Sequence, residues 1–275
     1  MQIRVISIPY DSGNFKQRMG AGPGRLIPHI TEHLRKSGNI VHLDEILDSS
    51  SFQTETTTSF CLSRMAASSV LTALNNGEFP IIISGNCNTA AMAATCGLGN
   101  KPGVIWMDCH ADFNTPETTI GGFLDGMAVS ILAGHCWKQL SASIPGYEPI
   151  PEEKIVLVGV RDIDPLEAER IDHSSLTIIP AEKIKRDSII QLPPIDGPVY
   201  LHIDLDVIDP DIVKVNNYNT TGGLTDNLLL KVIKTIKRTY AISAVSFTAY
   251  DPTLDPEEKM PGIVTLLLTG IIENN

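Results

Sequence analysis

The residues of this chain that could do chemistry fall in two short clusters. One reads Asp108-Cys109-His110-Ala111-Asp112; the other reads Asp204-Leu205-Asp206, followed by Asp209 and Pro210. In extended backbone, residues i, i+2 and i+4 face the same side. Asp108, His110 and Asp112 therefore converge, and so do Asp204 and Asp206. Four or more carboxylates in one cleft repel, so they must take up protons or hold a cation. A divalent metal meets that need. Oxygen-rich ligands with an imidazole suit Mn²⁺, and an Asp/His/Asp set also suits Zn²⁺. Such a metal lowers the pKa of a bound water and supplies hydroxide near neutral pH. Either cluster alone is a weak signal, because DxD occurs in many phosphate and metal sites. The structural alternative is that Asp204 and Asp209 cap turns and that His110 is a satisfied core histidine.

Both clusters follow short apolar runs, and such runs recur along the chain. They span residues 3–8, 40–43, 81–84, 104–107, 155–160, 176–179, 199–203 and 242–247, and each is rich in β-formers. Continuous rather than alternating apolarity predicts strands buried on both faces. The gaps 24–37, 59–76, 89–96, 125–140, 165–172 and 227–239 each have room for a helix. Strands alternating with helices predict βαβ units around a parallel sheet, either open and doubly wound or closed into a barrel. In both architectures ligands bind at the carboxyl ends of the strands, which is where the two clusters lie. A third exit, Ser84-Gly85-Asn86-Cys87-Asn88, follows the run at 81–84. With no linker-like shift in composition, residues 1–275 are expected to form a single domain.

Composition narrows the function. The chain of 275 residues is 43% hydrophobic, and 21 basic against 32 acidic residues leave a net charge of −11. Disorder is excluded as the main state by the apolar content, and a nucleic-acid partner by the lack of clustered Lys and Arg. No apolar run reaches the ~18 residues of a membrane span, so no membrane partner is expected. The opening MQIRVISIPY lacks the pattern of a signal peptide. Cys61, Cys87, Cys96, Cys109 and Cys136 show no CxxC pair, which reads as reduced thiols in a cytoplasmic protein.

The same residues carry a family resemblance through most of the chain. Val104-Ile105-Trp106-Met107-Asp108-Cys109-His110-Ala111-Asp112 resembles the strand and DxHxD motif of the arginase and ureohydrolase family, which includes arginase, agmatinase and formiminoglutamase. His202-Ile203-Asp204-Leu205-Asp206-Val207-Ile208-Asp209-Pro210 resembles its DxDxxDP motif. Gly20-Ala21-Gly22-Pro23, Asn114-Thr115-Pro116, Gly159-Val160-Arg161-Asp162-Ile163-Asp164-Pro165 and Gly222-Gly223-Leu224-Thr225 follow in the family's order. The resemblance implies a three-layer α/β/α fold with an eight-stranded, mostly parallel sheet, in a homo-oligomer (trimer or hexamer). It implies two Mn²⁺ ions sharing a hydroxide that attacks a guanidinium or amidine carbon of a small-molecule substrate. One metal would take Asp108, His110, Asp204 and Asp206. The other would take Asp108, Asp112, Asp204 and a histidine from a GGDHS segment. Asn114 and Asp164 match positions that hold the amino-acid end of arginase's substrate.

Several positions depart from the family pattern. Cys87 stands where the second metal's histidine is expected; it is read as a small buried residue or else, as a thiolate, a ligand that would suit Zn²⁺. Asp125 stands at the acid/base histidine and is expected to act in catalysis, or else to N-cap a helix over 127–132. Ala249 stands at the guanidinium-binding Glu, and Gly121 and Phe123 at arginase's carboxylate-binding Ser and Asn. Tyr250, beside the lost Glu, is either a carbonyl-polarising group or a core residue. Histone deacetylases, similar in fold, keep one Zn²⁺ on a trio that here would be Asp108, His110 and Asp204. The reading is a metal-dependent hydrolase of a linear C–N bond (amidine, guanidine or amide) in a substrate other than arginine. The alternative is a non-catalytic binding or regulatory subunit.

Overall fold

In a computed structural model of the chain, residues 1–47, 54–187 and 190–272 are described. Eight strands form one sheet: β1 (Gln2–Ile8), β2 (Ile40–Glu45), β3 (Phe79–Ser84), β4 (Gly103–Met107), β5 (Ile155–Val158), β6 (Thr177–Ile179), β7 (Val199–Asp204) and β8 (Ile242–Thr248). Their order is β2-β1-β3-β8-β7-β4-β5-β6, and every pairing is parallel. The sheet is open, and all eight apolar runs are strands in it. The run at 40–43 differs in burial: as the edge strand β2 it leaves Ile40 and Leu43 more than half or half exposed.

Each face of the sheet has its own core, because alternate residues of a strand point to opposite sides. Ile3, Val5, Ile81, Ile83, Leu201, Ile203, Val245 and Phe247 pack with α1 (Gly22–Lys36), α7 (Ala181–Asp187), α8 (Asp226–Thr239) and α9 (Lys259–Ile272). Ile6, Ile82, Trp106, Tyr200 and Ala244 pack with α2 (Glu55–Asn75), α3 (Cys87–Leu98) and α4 (Ala128–Leu132). Three layers result. Local sequence sets the helix boundaries. The Thr225 hydroxyl accepts from Leu228 N–H at 3.2 Å to cap α8, whose buried Leu229, Val232, Ile233 and Ile236 form one stripe. Asp164 opens α6 (Pro165–Asp172) with a reciprocal capping box to Glu167, followed by Pro165. In α3 small residues predominate because the helix is buried on nearly every side, packed against α2.

The segment 125–140, which has room for a helix, holds one at about the expected 127–132 and begins a second. A 3₁₀ turn (Asp125–Met127) leads into α4, and Gly134 and Trp137 then take left-handed backbone before α5 (Lys138–Ala142). Left-handed residues cannot extend a right-handed helix.

Candidate active site

Sheet register brings the predicted residues together. Ser84, Thr248 and Asp204 lie abreast at the ends of β3, β8 and β7, and Met107 of β4 lies abreast of Ile203. Asp108 therefore leaves β4 level with Asp204. At Gly85 the chain passes so close to the Tyr10 carbonyl that a Cβ would overlap it, which keeps the β3 exit tight against the loop after β1. A cavity of about 250 Å³ opens above these strand ends. Asp108, His110, Asp112, Asp204 and Asp206 all line it, as do Asn114, Asp125 and Asp164; among the described residues no Lys or Arg does.

His110 sits between two carboxylates: its Nδ1 is 3.3 Å from Asp108 Oδ1 and 3.4 Å from Asp206 Oδ2. Backbone groups aim the acids. His110 N–H donates to Asp108 Oδ1 at 2.7 Å, Cys109 N–H to Asp206 Oδ1 at 3.2 Å, and Asp206 N–H to Asp204 Oδ1 at 2.8 Å. Asp204 thus caps the turn it opens, and Asp209 caps the next turns through Asp211 and Gly222 N–H. Arg161 supports the motif from behind, donating to the carbonyls of Asp206 and Thr220, each at 2.7 Å.

Burial and mutual repulsion show in the ionisation of these groups. Burial first, then Asp206, pushes Asp108 up to about 7. Burial and neighbouring carboxylates push Asp112 and Asp204 well above the ordinary range. Burial works against charge on His110, but Asp206 and the hydrogen bond to Asp108 raise it to about 10. Burial likewise works against Asp206, yet His110 holds it below the usual value. Three buried carboxyls raised at once, with His110 as the one imidazole and no Lys or Arg on the wall among the described residues, form a donor set that fits a divalent cation. Among the described residues, two groups bring single ligand atoms within 4.8 Å of one another: Asp108, Cys109, His110 and Asp206; and Cys87, Asp108 and His202. Asp112 and Asp204 line the same cavity outside both groups.

The departures each take a definite place. The Cys87 thiol is buried, 3.0 Å from Asp204 Oδ2, to which it donates. Asp125 does not cap the following helix. Its carboxylate reaches across to the N-terminus of α3, accepting from Asn86 Nδ2 at 2.9 Å, Cys87 N–H at 2.9 Å and Asn88 N–H at 2.8 Å. Burial raises it to about 6 in spite of these bonds. Tyr250 is a core residue whose hydroxyl donates to Asp255. Asn114 Nδ2 donates to Asp164 Oδ2 at 3.1 Å, so this pair does meet.

Sequence reasoning assigned no role to Asn216, Glu167 or Tyr218. Asn216 Nδ2 bridges Asp206 Oδ2 and the Ala249 carbonyl, at 3.3 and 3.1 Å. Glu167 accepts from Phe113 N–H at 2.7 Å and ties the DxHxD loop to α6. Tyr218 stacks on Phe123 at the cavity wall, ring centres 5.2 Å apart. Ala249 holds left-handed backbone at φ 62°. That conformation costs a residue with a Cβ about 1–2 kcal/mol. Ala249→Gly is therefore expected to stabilise the fold by about 1 kcal/mol, net of the entropy glycine adds to the unfolded chain, read as a higher urea midpoint.

Three layers around a parallel sheet, with carboxylates and an imidazole gathered at its carboxyl edge, define an α/β protein of the arginase-like fold. A sequence model of the arginase family matches residues 1–270. The chain belongs to the arginase family. It is 27% identical to the arginase of Bacillus subtilis (strain 168), over 94% of this chain and 93% of that one. It is 30% identical to the N(omega)-hydroxy-L-arginine amidinohydrolase of Streptomyces lavendulae, over 59% of this chain and 58% of that one. The crystal structure of arginase from Bacillus cereus superposes with a TM-score of 0.87 at 22% identity, covering 100% of this chain and 99% of that one. The agmatine ureohydrolase of Thermoplasma volcanium gives 0.71 at 16%, covering 98% and 88%. The family is one of C–N-bond hydrolases. Among the described residues no helix is long and apolar enough to cross a membrane.

Proposed function

We propose that this chain hydrolyses a linear C–N bond of amide, amidine or guanidine type in a small molecule other than arginine. The observation that carries this reading is the convergence of five side chains on one cavity: Asp108, His110, Asp112, Asp204 and Asp206. They would hold a divalent metal, Mn²⁺ by family or Zn²⁺ by donor type. When bound, the metal supplies Lewis acidity and a nucleophile at neutral pH. The chain's own groups do the rest. Asp125, raised to about 6 in the cavity wall, is suited to take a proton from the attacking water and return it to the departing nitrogen. Asn114 and Asp164 bind a polar end of the substrate, held in place by each other and by α6.

Arginine is disfavoured for three reasons. Ala249 places no carboxylate where the resemblance puts the guanidinium's partner, and a buried cation without a partner is strongly unfavourable; the wall's other acids, Asp125 and Asp164 among them, are given to proton transfer and to the substrate's polar end. Gly121 has no side chain and Phe123 no polar atom to receive an α-carboxylate. The Phe123–Tyr218 stack lines the wall with aromatic surface instead. Protein stripped of metal and reconstituted with Mn²⁺ or Zn²⁺ is expected to turn over a member of an amide and amidine panel about 10²-fold or more faster than arginine. Arginine as the best substrate would contradict the specificity. Tightly bound metal with no turnover of any compound would favour a binding or regulatory subunit. A cytoplasmic homo-oligomer is proposed with this reading, supported by family membership.

A further inference from the structure

One cluster of buried metal-type ligands contains two residues, Cys87 and His202, that the proposed hydrolysis does not use. Cys87, His202 and Asp108 come from three elements: the start of α3, the interior of β7 and the exit of β4. All three are buried, and one ligand atom from each lies within 4.8 Å of the other two. Bonds of about 2.0–2.3 Å place tetrahedral ligands about 3.3–3.8 Å apart, so closing around an ion needs a contraction of at most about 1–1.5 Å.

His202 has the surroundings of a ligand imidazole. Its Nδ1 lies 2.9 Å from both the Tyr200 hydroxyl and Ser246 Oγ. A proton on Nδ1 is therefore accepted there, which leaves the Nε2 lone pair free for an ion. Nε2 meets the Thr248 hydroxyl only at 3.4 Å. The ring stacks on Trp106 with centres 3.6 Å apart, and the same indole donates to Asp108 Oδ2 at 3.0 Å. One side chain thus orients two of the three ligands. The Cys87 thiol lies beside a further oxygen donor, Asp204 Oδ2.

We propose that Cys87, His202 and Asp108 form a second divalent-metal site of Zn²⁺ type, with Asp204 beside it and Asp108 shared with the site of His110 and Asp206. The thiol at position 87 is then one half of an exchange, and the imidazole enters from β7 instead. As the sulfur–metal bond forms, the Cys87 proton leaves to solvent; no oxidant or reductant is involved. The proposal shares Asp108 with the proposed active site but does not depend on turnover.

The test is a Co²⁺ titration of the full, metal-stripped chain, followed by thiolate-to-metal charge-transfer absorption and by metal content. Wild type and Cys109→Ser are expected to develop the band. Cys87→Ser, which keeps size and hydrogen bonding, is expected to lose it and to bind one fewer Co²⁺ per chain. His202→Gln is expected to weaken that ion's affinity about 10²-fold or more, with folding checked by circular dichroism. A band that survives in Cys87→Ser, a band lost in Cys109→Ser, or equal metal content in wild type and Cys87→Ser overturns the proposal. Failure of the substrate panel with the band present removes the hydrolase reading alone. Turnover without the band removes this site alone.

Discussion

Asp108→Asn is expected to lower turnover by about 10³-fold or more and to raise the melting temperature of the metal-free protein. The first effect follows from the place of Asp108 in both groups of ligand atoms. Losing several kcal/mol of metal-supplied charge stabilisation is worth about three powers of ten or more. The second effect follows from electrostatics. The carboxyl is raised to about 7 by burial and by Asp206, against ~3.9 in an unfolded chain. Between those values the folded state binds more protons than the unfolded state, so stability falls as pH rises from about 4 to about 7. Asn cannot ionise, so the metal-free variant escapes that penalty. Divalent metal is expected to restore stability to the wild type near neutral pH and to do little for Asp108→Asn. Melting curves with chelator and with metal, at acid and neutral pH, check both signs. Identical curves for the two proteins would contradict the account.

Asp125→Ala is expected to destabilise the fold by about 3 kcal/mol or more, although the side chain sits in the cavity wall. Its carboxylate satisfies two backbone N–H groups at the first turn of α3 and the Asn86 amide. The helix behind them is buried, so water does not replace the lost acceptor. Asp125→Asn keeps one acceptor oxygen and is expected to cost about 1 kcal/mol. It separates the two roles. If Asp125 also moves the proton, turnover falls about 10²-fold. The rate rise with pH through about 6, where the carboxyl becomes the base, then disappears. An unchanged kcat and an unchanged pH profile would leave Asp125 only the capping role.

Much of the fold was legible because the central strands are buried on both faces, and such strands read as unbroken apolar runs. The same rule misjudged β2, where an edge position leaves apolar residues in solvent. Two helices, α7 and α9, went unread. The chemistry-bearing clusters were legible because period-two spacing after a strand fixes which side chains converge. Contacts across the fold were not. The cap that Asp125 provides lies 38 residues away at Cys87, and the partners of His202 come from β4 and β8. No local pattern encodes either arrangement. The Phe123–Tyr218 stack is of the same kind: Phe123 stands out in the sequence as a departure, Tyr218 does not, and only the fold brings the two together.

The most direct measurement is the anomalous diffraction of crystals of the metal-loaded protein, recorded at the edge of the ion supplied. A strong peak is expected among Asp108, His110, Asp204 and Asp206, within ordinary bonding distance of their oxygen and nitrogen atoms. A peak elsewhere on the protein, or a bare cavity at saturating metal, would contradict that expectation.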